Sequence, residues 1–128
     1  MGSFNDYLEA ALLDHAFKST AFSQPDNLYI ALYTAAPSDA GGGTEVSGGS
    51  YARKNHNLWG RSGSIMYNSG SISFIQATAS WGTVTHFAIL DTSTGGNFFG
   101  WGTCTVSRIV SDNDTAEFAS STILISLD

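Results

Sequence analysis

The stretch LYIALYT, residues 28–34, decides the fold class. Counting by two places Leu28, Ile30 and Leu32 on one side and Tyr29, Ala31 and Tyr33 on the other, which is the period of a β-strand. Both sides are apolar, so this strand is expected to be covered on both faces and to lie in the middle of the structure. Pro25, just upstream, marks where the period changes from helical to extended.

Downstream the same device recurs. YARKNHN (51–57) and SIMY (64–67) read as strands separated by a WGRSG turn, and SISFIQA (71–77) places Ile72 and Phe74 on one face. TVTHFAIL (83–90) and TCTVSRIV (103–110) are the two strongest strands, joined through DTSTGGNFFGWG (91–102). AEFASSTILISL closes the series, with Ile123, Ile125 and Leu127 alternating with Thr122, Leu124 and Ser126. Seven or eight strands at a spacing of about ten residues, with Gly, Asn and Asp turns, predict a sandwich or barrel and argue against βαβ units. The expected fold is mainly β: a single antiparallel β-sandwich, jelly-roll-like, spanning 1–128.

Upstream, SFNDYLEAALLDHAFKS has a helical period through Phe4, Leu8, Ala11, Leu12 and Ala16. Ser3 is placed to cap it with Asp6 as capping-box partner, and Lys18 sits where the helix dipole favours a cation. A helix of about four turns is marginal alone. The 1–18 segment is therefore expected to pack as an amphipathic helix on its own sheet or on a neighbouring subunit. Residues 35–50, AAPSDAGGGTEVSGGS, have no apolar period. Loops beyond about 12–15 residues are uncommon unless functional or disordered. Asp39 and Glu45 flank the three glycines, but two carboxylates without a spaced Asp/Asn ladder are a poor calcium site. The segment is expected to order on contact with a partner.

Of the 128 residues, 42% are hydrophobic and only 12% charged, while serine (18) and threonine (12) are abundant. A surface of hydroxyls is easier to desolvate than one of ions, which suits contact with other subunits. The net charge is −6, and the five basic residues form no block, which speaks against nucleic-acid binding. No segment approaches the ~20 apolar residues of a membrane span, and the N-terminus lacks a signal-peptide layout, so synthesis in the cytoplasm without membrane association is expected, the protein staying there or leaving inside something larger. Cys104 stands alone and reads as a small buried group.

The chemical motifs are absent. His15, His56 and His86 form neither HxH nor HExxH, GxSxG does not occur, and the triple glycine has no GK[ST] after it. Acids border strands, at Asp26, Asp39, Asp91, Asp112 and Asp114, where Asp side chains bond nearby backbone. His86 shares its alternation with Val84, Ala88 and Leu90 and reads as a structural imidazole. No catalytic residue, metal or cofactor is assigned. Trp59, Trp81 and Trp101 each adjoin glycine, in LWG, SWG and GWG; they serve either as core and interface anchors or as a glycan-stacking platform.

Four segments in order, SFNDYLEAALLDHAFKSTAF, LYIALYTAAPSDAGGGTEVSGGSYARK, ATASWGTVTHFAILDTSTGGNFFGWGT and ILISLD, resemble a family of short tailed-bacteriophage proteins labelled tail fibre or virion structural proteins. The resemblance implies a non-enzymatic building block of the virion whose partners are major capsid or tail proteins. It leaves two placements, a small tail- or fibre-associated subunit and a capsid decoration (cement) protein. A closed homo-oligomer, a trimer, is expected in either. Phe4, Tyr7, Leu8 and Leu12 of the helix, with Asp39 and Glu45 of the long loop, are the expected assembly interface. The alternative function is a carbohydrate- or receptor-binding module on the virion surface, stacking sugar on Trp59, Trp81 or Trp101.

Overall fold

A computed structural model describes residues 2–127. Met1 of the expected helical segment and Asp128 of the ILISLD stretch lie outside the described residues. The elements run β1 (Gly2–Phe4), α1 (Asp6–Phe17), β2 (Tyr29–Ala35), β3 (Thr44–Glu45), β4 (Lys54–Asn55), β5 (Trp59–Ser62), β6 (Ile65–Asn68), β7 (Ile72–Ser73), β8 (Gly82–Leu90), β9 (Phe98–Val110), β10 (Glu117–Phe118) and β11 (Leu124–Ser126). The fold is mainly β with one helix, as the alternation predicts.

Nine strands form one sheet in the order β3-β2-β8-β9-β1-β11-β6-β5, with β4 also paired to β2. β2 lies against β8 over five residue pairs, from Tyr29↔Leu90 to Tyr33↔His86, and against β3 and β4 on its other side. Its two faces enter different clusters. Ile30 and Leu32 join the large core with Phe87, Ile89, Ile123 and Ile125, whereas Ala31 and Tyr33 join Ala88 and Leu90 on the opposite side. Each fully buried Ile or Leu stabilises the fold by about 1.5–3 kcal/mol, so the two-faced strand contributes on both sides of the sheet. The β7–β10 ribbon forms a second layer: Phe118 meets Phe87 and Phe74 edge-on, with ring centroids 6.0 and 6.3 Å apart.

The pairing is antiparallel throughout the described strands except between β1 and β11, which run parallel. That pair exists because the helix starts later than its capping signature predicts. Ser3 does not cap α1; it is a strand residue opposite Trp101 and Ser126. Asn5 is the N-cap, yet its side chain bonds no helix N–H and instead donates from Nδ2 to the Ser38 and Asp39 carbonyls, each at 2.9 Å. Tertiary pairing outbids the local cap. Lys18 does end the helix, with its N–H on the Asp14 carbonyl and its ammonium 3.5 Å from the Asp14 carboxylate.

Two further local readings are corrected. WGRSG is not a turn: Trp59–Ser62 is β5, and the hairpin turns at Gly63 and Ser64. Val84 does not share a face with His86. β8 and β9 pair at Val84↔Arg108 and again at His86↔Thr103, so one residue of β8 opposes four of β9, residues 104–107. This bulge of three extra residues breaks the alternation and turns Val84 into the large core beside Phe87 and Ile89.

Candidate functional site

Three places on this scaffold combine exposure with specific chemistry. The first is the outer face of the sheet where β9, β1 and β11 lie side by side. Directly paired residues share a face, so Trp101 with Ser3, Ser3 with Ser126, and Thr103 with His86 all project on that side. Small residues here leave a depression of about 210 Å³ lined by Ser3, Ser126, Thr103, the backbone of Gly2 and Gly102, and the half-buried Trp101. The indole Nε1 donates to Asp39 Oδ1 at 3.1 Å, and the His86 ring lies 6.0 Å from the indole ring. Asp39 comes from a loop 62 residues earlier. It is brought there because its carbonyl accepts from the Asp6 N–H and from Asn5 Nδ2 at the helix start.

The second place is the remainder of that loop. It is held by its own chain: Val46 is buried, β3 pairs with β2, and Gly43 has a positive φ of 78° in a spot where a Cβ would sit 2.7 Å from the Pro37 nitrogen. Glu45 binds Arg53 bidentately, with Nε and Nη2 each at 2.9 Å, and accepts from the Tyr51 hydroxyl at 2.7 Å. Arg53 Nη1 reaches on to the Thr92 and Gly95 carbonyls at 2.9 and 2.8 Å, which fixes the loop between β8 and β9. Burial, with the nearby Glu45 carboxylate adding to it, pushes the Tyr33 phenol up to about 12. Burial first, and then the hydrogen bond to Glu45, raise Tyr51 further still. Hydrogen bonding to Glu45 raises the Arg53 guanidinium, so its charge is secure at any physiological pH.

The third is a groove of about 610 Å³ between the bulged half of β9 and the 114–122 segment, floored by Leu32, Val84, Phe87 and Phe118. Cys104 lines it, and burial raises its thiol, which disfavours the reactive thiolate. Val106 and Ile109 stand exposed beside it.

The remaining sequence-selected residues are distributed as follows. Phe4 lies on β1 and not on the helix, and packs against the core; on α1, Leu8 is buried, Leu12 packs against the core, and Tyr7 rests on Phe99 with ring centroids 5.9 Å apart. Trp81 is only 4% exposed and donates from Nε1 to the Gly49 carbonyl. Trp59 is half-buried, donates to the His56 carbonyl and meets the His56 ring edge-on. The three histidines have separate neighbours: His15 Nδ1 accepts from the Phe22 N–H, His56 Nε2 bonds the Leu58 carbonyl, and His86 Nδ1 bonds Thr85. Among the described residues no three His, Cys, Asp or Glu side chains gather in a way that would hold a metal ion. No described helix is long and apolar enough to cross a membrane.

Sequence reasoning missed the outward side of α1. Ala10, Leu13 and Phe17, at helical spacing, are exposed, Leu13 by 58% and Phe17 by 83%. The signal was present as a second apolar stripe on a helix that was read for one. It also missed Asn68, which is fully buried and donates to the Gly70 and Ala119 carbonyls while accepting from the Thr122 and Ile123 N–H groups.

No curated protein matches this chain. A family model described as Podophage GP4 fiber I protein gp80 matches residues 3–126, nearly the whole length, and so the chain belongs to that phage fibre family.

Proposed function

We propose that this protein is a small, non-enzymatic structural subunit of a phage tail fibre, and that it attaches by burying the outward face of α1 against another virion protein. The carrying observation is the helix with two apolar sides. One side, through Tyr7, Leu8 and Leu12, rests on the sheet near Phe99; the other presents Ala10, Leu13 and Phe17 to solvent. A helix that is apolar around most of its circumference is normally covered around most of it. Covering Leu13 and Phe17 would contribute about 1.5–3 kcal/mol each. Family membership in a fibre group supports a virion protein as the covering partner and favours the fibre over the capsid shell. Asp39, whose carbonyl holds the helix start at Asn5 and Asp6, turns its carboxylate to Trp101 and is left outside this contact. The homo-oligomer, a trimer, belongs to this reading as a separate contact, because α1 is assigned to the heterologous partner.

The test replaces Leu13→Asp and Phe17→Asp together in the phage and measures the copies of this protein per purified particle. Both positions are exposed, so circular dichroism and the melting temperature of the isolated variant should match the parent. Copy number is expected to fall by about tenfold or more, the equivalent of losing ~1.4 kcal/mol or more. Full occupancy in particles with a correctly folded variant would overturn the proposal.

A further inference from the structure

We infer that the depression beside Trp101 is a binding subsite for a neutral hexopyranose. This goes beyond the attachment role of α1 and does not depend on it. The argument rests on which polar atoms the fold leaves uncommitted around one aromatic ring. Asp39 Oδ1 accepts from the Trp101 indole and, at 3.5 Å, from the Ser3 hydroxyl, whereas Oδ2 has no partner among the described residues. Among the described residues the hydroxyl of the exposed Thr103 likewise has none, nor has His86 Nε2, although Nδ1 is held by Thr85. The Thr103 hydroxyl thus lines the depression with Ser3 and Ser126, while Asp39 and His86 flank the half-buried indole that walls it.

That set matches a pyranose. The ring's C–H face is apolar and suits an aromatic surface, while its hydroxyls donate to carboxylate and accept from Thr or His. Pockets that fix orientation with a few placed polar groups on an apolar surface are the usual form of small-molecule sites. The indole is also pre-oriented, because its N–H is already tied to Asp39 and its ring packs with the Ala31, Tyr33, Ala88 and Leu90 cluster. Charge sets the class. Asp39, bonded to the indole N–H, and a net charge of −6 disfavour uronic and sialic acids. The depression of about 210 Å³ limits the site to about one sugar unit, so a longer glycan would run on across the hydroxyl-rich face.

The experiment titrates the ¹⁵N-labelled full chain with glucose, galactose, mannose and their N-acetyl forms, with glucuronate as the acidic control. At least one neutral sugar should shift the amides of Ser3, Trp101, Thr103 and Ser126 together, and glucuronate should not. Trp101→Phe is expected to weaken that binding about tenfold. Thr103→Val, at an exposed position, should weaken it about threefold and carries the mutational test should Trp101→Phe fail to fold. The inference is overturned if no neutral sugar shifts these amides at tens of millimolar, if the shifts map elsewhere, if glucuronate binds as well, or if Thr103→Val leaves the affinity unchanged.

Discussion

β9 is one strand with two characters, and the contrast between its halves explains how the molecule is both rigid and available. Its first half, from Phe98 to Gly102, is paired on both sides, to β8 and to β1, and is largely buried. Glycines alternate with aromatics there because the neighbours come too close for a side chain: a Cβ on Gly102 would sit 2.8 Å from Phe87 Cζ and 3.0 Å from the Gly2 Cα. The second half, residues 103–110, carries the three-residue excess opposite Thr85 and is exposed over most of its length. Bulges re-aim side chains and interrupt pairing. Here the bulge lines the groove beside Phe118, starting one residue past Thr103, which is paired with His86 at the edge of the Trp101 depression. Rigidity is built where β1 pairs the second edge of β9, even across the one-residue shift opposite Ile89 and Leu90, and availability where the larger bulge lies.

The sharpest way to break the contrast is to loosen the anchored half from its entry point. The loop leading into β9 is held by Arg53, whose side chain is 7% exposed. Arg53→Ala removes a bidentate pair and two carbonyl contacts, and it strands Glu45 with the Tyr51 hydroxyl as its remaining partner. Breaking a buried pair from one side costs about 3 kcal/mol or more. Chemical denaturation should show that loss, and hydrogen exchange should show faster labelling of residues 92–97. Arg53→Lys should recover only a fraction, since an ammonium cannot reproduce the planar fork. A variant with unchanged stability would mean that the loop is held by its own Asp91–Asn97 bonds, at 2.8 and 3.0 Å, and not by Arg53.

A second measurement compares the halves directly, with alanine placed in each. Gly102→Ala forces either Phe87 or the β1 backbone to shift and is expected to destabilise by about 2 kcal/mol, as overpacking does. Ser107→Ala, on the exposed bulge, should stay within about 0.5 kcal/mol. Equal effects at the two positions would show that the halves do not differ in packing and would remove the basis of the contrast.

How much of this could be read beforehand depends on which interaction decided each element. β2 was legible because both its faces are buried in the same chain, so its alternation and its environment agree. The start of α1 was not. The Ser3–Asp6 signature is a sound local cap, but pairing of Ser3 with Trp101 and Ser126 involves residues about a hundred positions away. The bulge was equally hidden, since TCTVSRIV breaks its alternation only at Arg108 and the surplus residues exist only relative to β8. The Trp101 site was half legible. The glycine-flanked indole was visible in sequence, whereas Asp39, which arrives through Asn5 and the helix start, belongs to a contact that no spacing encodes.

The mildest probe is alkali, and it should act on the anchored half alone. Tyr33 packs on Phe98 at the start of that half and Tyr51 bonds the Glu45 that holds Arg53, and both phenols are raised in the folded protein, Tyr33 to about 12. An unfolded tyrosine ionises near its ordinary value of about 10. The unfolded state therefore releases these protons first, so stability is full below about pH 10 and falls as pH rises toward about 12. At about pH 11 the loss should be on the order of 1 kcal/mol for each of the two tyrosines. Denaturation midpoints across that range, with amide exchange as the local readout, would show protection lost around β2 and the first half of β9. The bulge, already exposed, should change little. Tyr51→Phe should flatten the pH slope whatever it does to stability at neutral pH. An unaltered slope in that variant would mean that the alkaline transition belongs to other groups and that the Glu45–Arg53–Tyr51 cluster is not what holds the anchored half.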